Sequence, residues 1–352
     1  MQERLETEVP ISTPGHENWA VLATFRPEKA EYSRNIGLMD TPFTPDQIGR
    51  LWRLAEAHGY GILELEPHRQ YPEDVLATCE ILCGYFPKVL LKHATALKWL
   101  HLPSAGADKY VDETIYPHDV TLTNSSGAFG AAIAEQLIMG SLMLLRRMPE
   151  YQRQQREKVW QRVGPLRFLR GSLVTVIGTG NLGGTFAGYC RAMGATVQGV
   201  NRSGKTDNPD FAAVYPTERL PEAVRGADIV AACLPLTQET RGLIDRQVFE
   251  EMRPGAIFLN VGRGKTVCQQ DLIHALLGGG LAGAMLDVAE EEPMPPDCPL
   301  WDMDNVIITP HVSGSDQDAA NASEIFSIFM DNLARYFAKR PLINIVDKKK
   351  EY

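Results

Sequence analysis

The feature that most restricts the fold is a glycine-rich turn between an apolar stretch and a helical pattern. Residues 173–177 are largely apolar, as in a buried strand, and residues 178–183 (Gly-Thr-Gly-Asn-Leu-Gly) follow directly. In such a turn the first glycine permits a sharp bend, the second lets phosphate oxygens approach the backbone, and the third lets the helix pack on the strand. The helix N-terminus adds N–H donors and partial positive charge. The segment predicts a Rossmann βαβ unit that binds a dinucleotide pyrophosphate through Gly178, Gly180, Asn181, Leu182 and Gly183.

Apolar runs alternate with helical patterns along most of the chain. After the glycine turn, further strands are predicted at residues 196–200, 229–233, 256–260, 283–287 and 306–309. Before it, strands are predicted at residues 19–25, 61–65, 81–86 and 97–102. Thr44 and Pro45 predict the start of a helix that continues over residues 48–58. Such alternation is typical of parallel sheets covered by helices, and 352 residues exceed what one core usually holds, so we expect a two-domain α/β protein.

The charge balance argues against two classes of partner. A formal net charge of −9 and a pI of about 5.5 give a mean field that repels phosphate, so we expect neither nucleic acid nor an anionic membrane as partner. The longest apolar tract, residues 129–145, is interrupted by Glu135 and Gln136 and is shorter than the roughly 20 residues of a spanning helix. The first 18 residues show no secretory-signal pattern. We therefore expect a cytoplasmic protein.

The cysteines are scattered through mostly apolar contexts. Without an export signal, reduced and mostly buried thiols are expected rather than disulfides. Cys79 and Cys83 are four residues apart, but no cluster of His or Cys accompanies them, so no metal site is predicted. The six cysteines are Cys79, Cys83, Cys190, Cys233, Cys268 and Cys298.

A long helical pattern covers residues 128–148 and is apolar on nearly every face until Arg146 and Arg147. A helix without a polar stripe must be buried, either inside the protein or against another subunit. A polar stretch at residues 151–162 then leads into the glycine-turn unit.

The end of the second strand of this unit bears on the choice of dinucleotide. NAD-binding proteins usually place an Asp or Glu there to accept hydrogen bonds from the adenosine ribose. Here stand Asn201, Arg202 and Ser203, with Lys205 just beyond and the nearest acid, Asp207, further along the loop. Arg202 and Lys205 could neutralise a 2′-phosphate while Ser203 donates a hydrogen bond to it; solvated surface cations are the plainer alternative. The pattern favours NADP(H) over NAD(H).

Three downstream segments carry residues suited to hydride transfer to a 2-oxo acid. Arg263 follows the apolar run 256–260, at the carboxyl end of a strand, where α/β sheets bind ligands. Asp287 ends the next predicted strand and precedes an acidic run that includes Glu292, and His311 follows the last strand. Taken alone, each has a plainer interpretation, as a surface ion-pair partner, a solvated loop residue or a capping histidine.

In this order and context the segments resemble one family, the D-isomer-specific 2-hydroxyacid dehydrogenases. The resemblance covers about residues 97–314, and its matches are Ala134-Glu135, the glycine turn, Leu234-Pro235-Leu236-Thr237, residues 260–264, Leu286-Asp287-Val288, Glu292-Pro293 and Pro310-His311. It implies a Rossmann dinucleotide-binding domain, residues 123–311, inserted into a flavodoxin-like substrate domain formed by residues 1–122 and 312–352. The active site would lie in the interdomain cleft, with hinges near Thr123 and Val312.

By this resemblance Arg263, Glu292 and His311 form the catalytic triad. Arg263 would hold the substrate carboxylate and polarise the carbonyl through charge-assisted hydrogen bonds. His311 would donate a proton to the carbonyl oxygen and accept it back in the reverse direction. Glu292 would pair with the imidazole, fix its tautomer and favour its charged form; Glu290 and Glu291 are the alternatives for this acid.

Further binding residues follow from the same resemblance. The loop at residues 104–106 would bind the substrate carboxylate through backbone N–H groups, which small residues leave accessible. Asp287 would hydrogen-bond the nicotinamide carboxamide. Tyr85 and Phe86 either shape the substrate pocket or pack in the core. The predicted contacts are Ser104, Ala105, Gly106 and Arg263 with the substrate, and Leu234, Pro235, Thr240, Val261, Gly262 and Asp287 with the coenzyme.

The resemblance implies an oxidoreductase that transfers hydride between NADP(H), or less favourably NAD(H), and a small 2-oxo acid, acting as a reductase of the glyoxylate/hydroxypyruvate type. In the family the helix corresponding to residues 128–148 lies in a two-fold interface, which implies a homodimer. Two other classes are open. One is a dinucleotide-sensing binding module on the same fold; the other is an S-adenosylmethionine methyltransferase, which would leave the triad residues without a role.

Overall fold

The protein is described here from a computed structural model, in residues 32–66 and 73–352. A five-stranded parallel sheet forms the first domain, with the order β2-β1-β3-β4-β5 that is found in flavodoxin-like folds. Its strands are β1 (Asn35–Met39), β2 (Gly61–Leu65), β3 (Cys79–Gly84), β4 (Trp99–Leu102) and β5 (Thr121–Asn124). The sequence did not predict β1 or β5, and the strand predicted at residues 19–25 lies outside the described residues.

The helices of this sheet include α1 (Pro45–Ala57), which begins where the sequence predicts. Thr44 Oγ1 accepts a hydrogen bond from Gln47 N at 3.3 Å, and Gln47 Oε1 accepts one from Thr44 N at 2.8 Å. This reciprocal capping box satisfies N–H groups that the first turn of a helix leaves without partners. Leu51 and Ala55 then face the sheet and are fully buried. The other two helices here, α2 (Glu73–Ala77) and α3 (Lys88–Leu91), are short.

A seven-stranded parallel sheet forms the second domain, in the order β12-β11-β10-β9-β6-β7-β8. Counted from β6, this is the Rossmann order, and the direction in which strands are added reverses between β6 and β9. The predicted strands are confirmed within a few residues, while β8 was not predicted. The strands are β6 (Leu173–Ile177), β7 (Thr196–Asn201), β8 (Ala213–Pro216), β9 (Ile229–Ala232), β10 (Ala256–Asn260), β11 (Leu281–Leu286) and β12 (Val306–Ile308).

The predicted helix over residues 128–148 is two helices, so the prediction was wrong at its C-terminal end. The first is α4 (Gly130–Leu145), and the second is α5 (Met148–Glu157), which takes up part of the polar stretch. Arg147 between them has φ 56°, a left-handed conformation that cannot continue a helix. Pro149 in the first turn of α5 needs no backbone N–H there and favours the restart.

One face of α4 packs on the second sheet. A Cβ built at Gly140 would lie 2.9 Å from the Met285 side chain, so only glycine lets the helix approach β11 this closely. The opposite face meets solvent in the single chain: Glu135 is exposed and Met139 retains 42% of its surface. The sequence predicts that this face is buried in the protein or against another subunit, but in the single chain it is exposed.

The remaining helices of the second sheet are α6 (Asn181–Ala192), α7 (Leu220–Val224), α8 (Arg246–Glu251) and α9 (Gln269–Leu277). After β12 the chain returns to the first sheet through α10 (Ala319–Phe337). The ring of Phe329 lies 6.0 Å from that of Phe43 and 5.5 Å from that of Trp99. An isolated bridge pairs Thr123 with Ile345. The chain therefore crosses between the sheets twice, near Thr123 and after β12; the exact division at residues 122/123 and 311/312 stays a prediction.

All six cysteines are free thiols. A register shift at the start of β3 places Cys79 and Cys83 in different apolar clusters, although they are four residues apart. Burial raises the pKa of Cys79 and that of Cys190 to about 12, which makes both poor nucleophiles. No helix in the described part of the chain is long and apolar enough to cross a bilayer.

Candidate active site

The glycine turn lies at the carboxyl end of β6, where the strand order reverses. Gly178 has φ 102°, and a Cβ there would lie 2.6 Å from Cys233 O; a Cβ on Gly183 would overlap Gly178 O. Gly180 differs, because no atom of the described residues lies within 4 Å of a Cβ built on it. It is the N-cap of α6 and makes no side-chain cap. Open space beside an uncapped helix N-terminus fits a pyrophosphate.

Asn201 organises the loop after β7. Its Nδ2 donates to Thr179 Oγ1 at 2.7 Å and to Lys205 O at 2.8 Å, and its Oδ1 accepts from Ser203 N at 3.0 Å and from Gly204 N at 2.7 Å. These bonds tie the loop to the glycine turn and occupy both ends of the amide. Asn201 therefore positions this loop, and its predicted contact with the coenzyme stays a prediction.

The cations of this loop face outward. Arg202 and Lys205 are exposed, as is Ser203 between them. Arg202 Nε lies 3.5 Å from Glu239 Oε2, an exposed pair of the kind that contributes little energy. The loop therefore presents two cations and a hydroxyl at the mouth of the crevice above β6.

The opposite wall of this crevice is formed after β9. Thr240 Oγ1 donates to Pro235 O at 2.7 Å and accepts from Thr237 N at 2.8 Å, which closes the loop. A Cβ on Gly262 would lie 2.6 Å from Leu234 O, so the loops after β9 and β10 are in contact. The predicted residues Leu234, Pro235, Thr240, Val261 and Gly262 thus lie together at one edge of the sheet.

His311 and Glu292 form a pair, as the sequence predicted. His311 Nδ1 lies 2.9 Å from Glu292 Oε2, and Glu292 Oε1 accepts from Ala289 N at 3.1 Å. The carboxylate fixes the proton on Nδ1, so Nε2 is the atom that can exchange a proton with a ligand. Both side chains are partly exposed, as access by a ligand requires. His311 has φ 54°, an unfavourable conformation that the neighbouring hydrogen bonds of its segment maintain.

Those bonds come largely from Asp287, which is 1% exposed. Its Oδ1 accepts from Thr309 Oγ1 at 2.6 Å and Val312 N at 3.0 Å, and its Oδ2 accepts from Ser313 N at 3.0 Å and Ser313 Oγ at 2.5 Å. The sequence placed Asp287 against the nicotinamide carboxamide. In the structure both oxygens hold the segment that carries His311, because a buried carboxylate needs several donors. The contact with the carboxamide stays a prediction.

Arg263 follows β10 and reaches the first domain. Its Nε lies 3.4 Å from Asp108 Oδ1, and its Nη1 donates to Gly262 O at 2.9 Å. A Cβ on Gly106 would overlap Arg263 Nη2, so the guanidinium lies directly against this residue. The sequence predicted both Arg263 and Gly106 as substrate contacts; it did not identify Asp108, whose role depends on a partner 155 positions away.

The loop that faces Arg263 is ordered by its own hydrogen bonds. Ser104 Oγ donates to Gly106 O at 2.7 Å, and Ala105 O accepts from Asn124 Nδ2 at 2.7 Å. Ser104 O accepts from Ser125 N at 3.0 Å. A rigid backbone of small residues beside a guanidinium fits a small carboxylate.

The structure separates the two aromatic residues that end β3. Phe86 is buried in the core of the first domain, whereas the Tyr85 hydroxyl donates to Asp316 Oδ2 at 3.1 Å. Burial and the adjacent carboxylate raise the pKa of Tyr85, so it remains a neutral donor. Asp316 lies five residues after His311, and this bond joins the first sheet to the segment that carries His311. Nothing in the local sequence singles out Asp316.

Comparison with known proteins identifies the family. Residues 138–313 match the family described as D-isomer specific 2-hydroxyacid dehydrogenase, NAD binding domain. A glyoxylate/hydroxypyruvate reductase A of Arabidopsis thaliana is 32% identical over 247 residues, which are 69% of this chain and 76% of that protein. The chain belongs to the D-isomer-specific 2-hydroxyacid dehydrogenase family.

Solved structures agree with this assignment to the dehydrogenase family. A family protein from Aeromonas salmonicida has a TM-score of 0.79 and 34% identity, and the match covers 90% of this chain and 99% of that one. The NADPH-dependent glyoxylate/hydroxypyruvate reductase of Sinorhizobium meliloti, solved with NADP and sulfate, has a TM-score of 0.78 and 27% identity, covering 91% and 100%. This dehydrogenase is an NAD(P)-dependent oxidoreductase of 2-oxo and D-2-hydroxy acids.

Two contacts between the sheets border the cleft of this dehydrogenase. Arg263 meets the loop of Gly106 and Asp108, and Tyr85 meets Asp316 beside the His311 segment. Because loops at carboxyl ends of parallel strands share one edge of a sheet, the two edges face each other here. The arrangement can hold a carboxylate on one side and exchange a proton on the other.

Proposed function

We propose that this dehydrogenase reduces a small 2-oxo acid of the glyoxylate or hydroxypyruvate type to its D-2-hydroxy acid, with NADP(H) in preference to NAD(H). The observation that carries the proposal is the Arg263 guanidinium, which lies against Gly106 of the opposite domain. A guanidinium recognises a carboxylate through parallel hydrogen bonds, and its position between the domains defines where that carboxylate would bind. The Arabidopsis and Sinorhizobium relatives, both glyoxylate/hydroxypyruvate reductases, support the substrate class.

The protein's own residues account for orientation and proton transfer. Arg263 would bind the carboxylate with the backbone of residues 104–106, and so orient the carbonyl and polarise it. His311 would donate the Nε2 proton to the carbonyl oxygen, and the Glu292 carboxylate at 2.9 Å would stabilise the imidazolium required before that transfer. Bound NADPH would supply the hydride to the carbonyl carbon. In the reverse direction His311 would accept the proton from the hydroxyl.

The preference for NADP(H) rests on the loop after β7. It offers the cations of Arg202 and Lys205 and no carboxylate at the end of β7 that would repel a 2′-phosphate. Ser203 adds a hydroxyl donor. Gly178, Gly180 and Gly183 would accommodate the pyrophosphate at the N-terminus of α6.

A spectrophotometric assay tests this function. Purified protein is mixed with NADPH or NADH and with glyoxylate, hydroxypyruvate or pyruvate, and the absorbance of the reduced nicotinamide is followed. We expect turnover with NADPH and a small 2-oxo acid, and a raised KM for NADPH in Arg202→Ala. Faster turnover with NADH, together with unchanged NADPH kinetics in Arg202→Ala, would contradict the NADP(H) preference. Coenzyme binding with no turnover of any 2-oxo acid would favour the sensor alternative.

We also propose that a second copy of the chain covers the outer face of α4. In the single chain this face exposes Met139, and the segment after α5 exposes Trp160 fully and Phe168 for 68% of its surface. Large exposed apolar side chains, on α4 and in the segment that follows α5 along the chain, favour burial against another surface. A homodimer would bury them. Sedimentation velocity should give twice the chain mass, and Met139→Glu should shift the protein toward monomer; a wild-type monomer at micromolar concentration would contradict the proposal.

We infer, finally, that the domains divide close to the predicted positions, with residues 1–122 and 312–352 in the substrate domain and the chain between β5 and His311 in the coenzyme domain. Thr123 and Asn124 still pair with β4 in the first sheet, and Thr123 also bridges Ile345, so the first hinge would lie just after β5. The Val312 N–H bond to Asp287 lies at the second crossing. The cytoplasmic location stays a prediction from the sequence.

A further inference from the structure

A short C-terminal segment, residues 347–352, lies beside the coenzyme crevice. Backbone hydrogen bonds close it into a loop, since Asp347 N donates to Tyr352 O at 3.0 Å and Lys350 N donates to Asp347 O at 3.0 Å. The residue before it, Val346, is buried in the first domain and donates its N–H to Leu122 O at 2.9 Å. The segment is therefore attached to the first sheet at its start.

Its last two residues reach the second sheet at two separate loops. Glu351 Oε2 accepts from Gln238 N at 2.8 Å, in the loop after β9. The Tyr352 ring centroid lies 5.3 Å from Arg202 Cζ, in the loop after β7. Because β7 and β9 flank β6, these loops are the two walls of the crevice above the glycine turn. The segment thus crosses the crevice from one wall to the other.

We propose that residues 347–352 form a coenzyme strap in which Tyr352 is a specificity-determining residue that holds Arg202 for the 2′-phosphate of NADP(H). The proposal rests on the NADP(H) preference proposed above. The strap belongs to the first domain. Coenzyme selection would therefore depend on that domain as well as on the Rossmann motifs of the second domain.

The geometry at Arg202 explains why an aromatic residue suits this position. Glu239 lies 3.5 Å from Arg202 Nε and competes with a phosphate for the guanidinium. An aromatic ring attracts the face of a guanidinium and leaves the N–H groups on its edge free for an anion. Tyr352 therefore restrains Arg202 without occupying the donors that a phosphate needs, and Glu351 fixes the strap to the other wall.

Binding to the free protein, measured by isothermal titration calorimetry, separates this role from catalysis. The ligand 2′,5′-ADP carries the 2′-phosphate, and 5′-AMP lacks it. We expect Tyr352→Ala to weaken the binding of 2′,5′-ADP about twofold to fivefold, the range of an exposed cation–π contact, and to leave the binding of 5′-AMP unchanged. Tyr352→Phe keeps the ring and should bind as the wild type does. Lys349→Ala, at an exposed position of the same segment, is the matched control.

The outcomes distinguish this proposal from the one on which it rests. If Arg202→Ala weakens 2′,5′-ADP and Tyr352→Ala does not, the strap has no role in specificity and the phosphate site remains. If neither substitution changes 2′,5′-ADP binding, the NADP(H) preference itself is wrong. Equal losses for 2′,5′-ADP and 5′-AMP in Tyr352→Ala would also overturn the assignment, because they would indicate a general change in the crevice.

Discussion

The carboxyl edges of the two parallel sheets face the same cleft but carry different chemistry. The edge of the seven-stranded sheet bears ionisable side chains, Arg263, Glu292 and His311. The edge of the five-stranded sheet bears small residues around Gly106, the carboxylate of Asp108, which pairs with Arg263, and a neutral donor, Tyr85. Each domain also contains a buried carboxylate with several hydrogen-bond donors: Asp287, 1% exposed, in one and Glu80, 7% exposed, in the other.

The two buried carboxylates have different partners, and so different roles in their domains. The bonds of Asp287 go to the segment of His311, so its burial serves the proton-transfer group. The bonds of Glu80 come from Tyr60, Tyr336 and Lys98, which join β3 to α10 and to the chain just before β4. Under the proposed function, reaction chemistry is concentrated in the second domain, while the first supplies a rigid surface for the substrate. Substitutions in the two regions should have different signatures.

The largest effect is expected for His311→Asn. Without the general acid, kcat should fall about 10²–10⁴-fold. Because the coenzyme crevice is formed by other loops, the affinity for 2′,5′-ADP should not change. Steady-state kinetics and calorimetry check the two halves of this prediction. A wild-type kcat in this variant would show that His311 does not transfer the proton. The two sheet edges would then not differ in catalytic role as proposed.

Gly106→Ala tests the surface that the first domain provides. The new Cβ would overlap Arg263 Nη2 and force the guanidinium away from the loop. A misplacement of about 1 Å can reduce the rate about 100-fold, so kcat/KM for the 2-oxo acid should fall by up to that factor. Gly49→Ala in α1, where the nearest atom would be 3.9 Å away, is the matched control and should retain full activity. Equal activity in both variants would show that Arg263 does not depend on this loop.

Two glycines of the turn, Gly180 and Gly183, have different surroundings, so their substitution should have different effects. At Gly180 a Cβ meets open space, so Gly180→Ala should retain the wild-type Tm. It should nevertheless weaken coenzyme binding about tenfold to 100-fold, the effect of losing a hydrogen bond to a charged group.

The third glycine of the turn tests stability instead. At Gly183 a Cβ overlaps Gly178 O, and Gly183→Ala should lower the free energy of unfolding by about 1–3 kcal/mol. Thermal unfolding measures the stability of the Gly180 and Gly183 variants, and calorimetry measures their coenzyme affinity. If Gly180→Ala lowered stability and left coenzyme affinity unchanged, the pyrophosphate would not bind at this turn.

The features that could be predicted correctly from the sequence depend mostly on residues that are close together in the chain. The glycine turn and most strands of the second sheet follow from local patterns, and the pairing of His311 with Glu292 follows from the family resemblance of short segments. The strand β1 was missed because Gly37 weakens strand propensity, yet a Cβ there would lie 2.6 Å from the Leu82 side chain, so packing demands glycine.

Contacts between distant segments could not be predicted in this way. Asp316 acquires its role from Tyr85, 231 positions away, and Tyr352 meets Arg202 only because the chain returns to the first sheet. The break between α4 and α5 at Arg147 depends on a single left-handed residue that helical periodicity does not reveal. The hydrogen bonds of Asp287 to Thr309, Val312 and Ser313 could not be predicted, since they form only when β11 and β12 are paired.

The smallest effect is expected at Glu80, and it concerns stability rather than reaction. Burial raises the pKa of this carboxyl, but hydrogen bonds from Tyr60 at 2.6 Å and Tyr336 at 2.7 Å, with the Lys98 ammonium at 3.3 Å, outweigh burial and hold the pKa below its ordinary value. Such a group stabilises the fold above its unfolded pKa of about 4.3, and that contribution is lost as the pH falls through the lower, folded pKa.

Acid should therefore loosen the first domain through protonation of Glu80. Hydrogen exchange of the β3 amides between pH 3 and pH 6 should report a loss of protection toward low pH in the wild type. Glu80→Gln keeps the acceptor oxygen but cannot titrate, so its protection should be lower at pH 6 and change less with pH. Glu64→Gln, at an exposed position of β2, is the control and should follow the wild type. An identical acid slope in Glu80→Gln and the wild type would mean that this carboxyl contributes no pH-dependent stability.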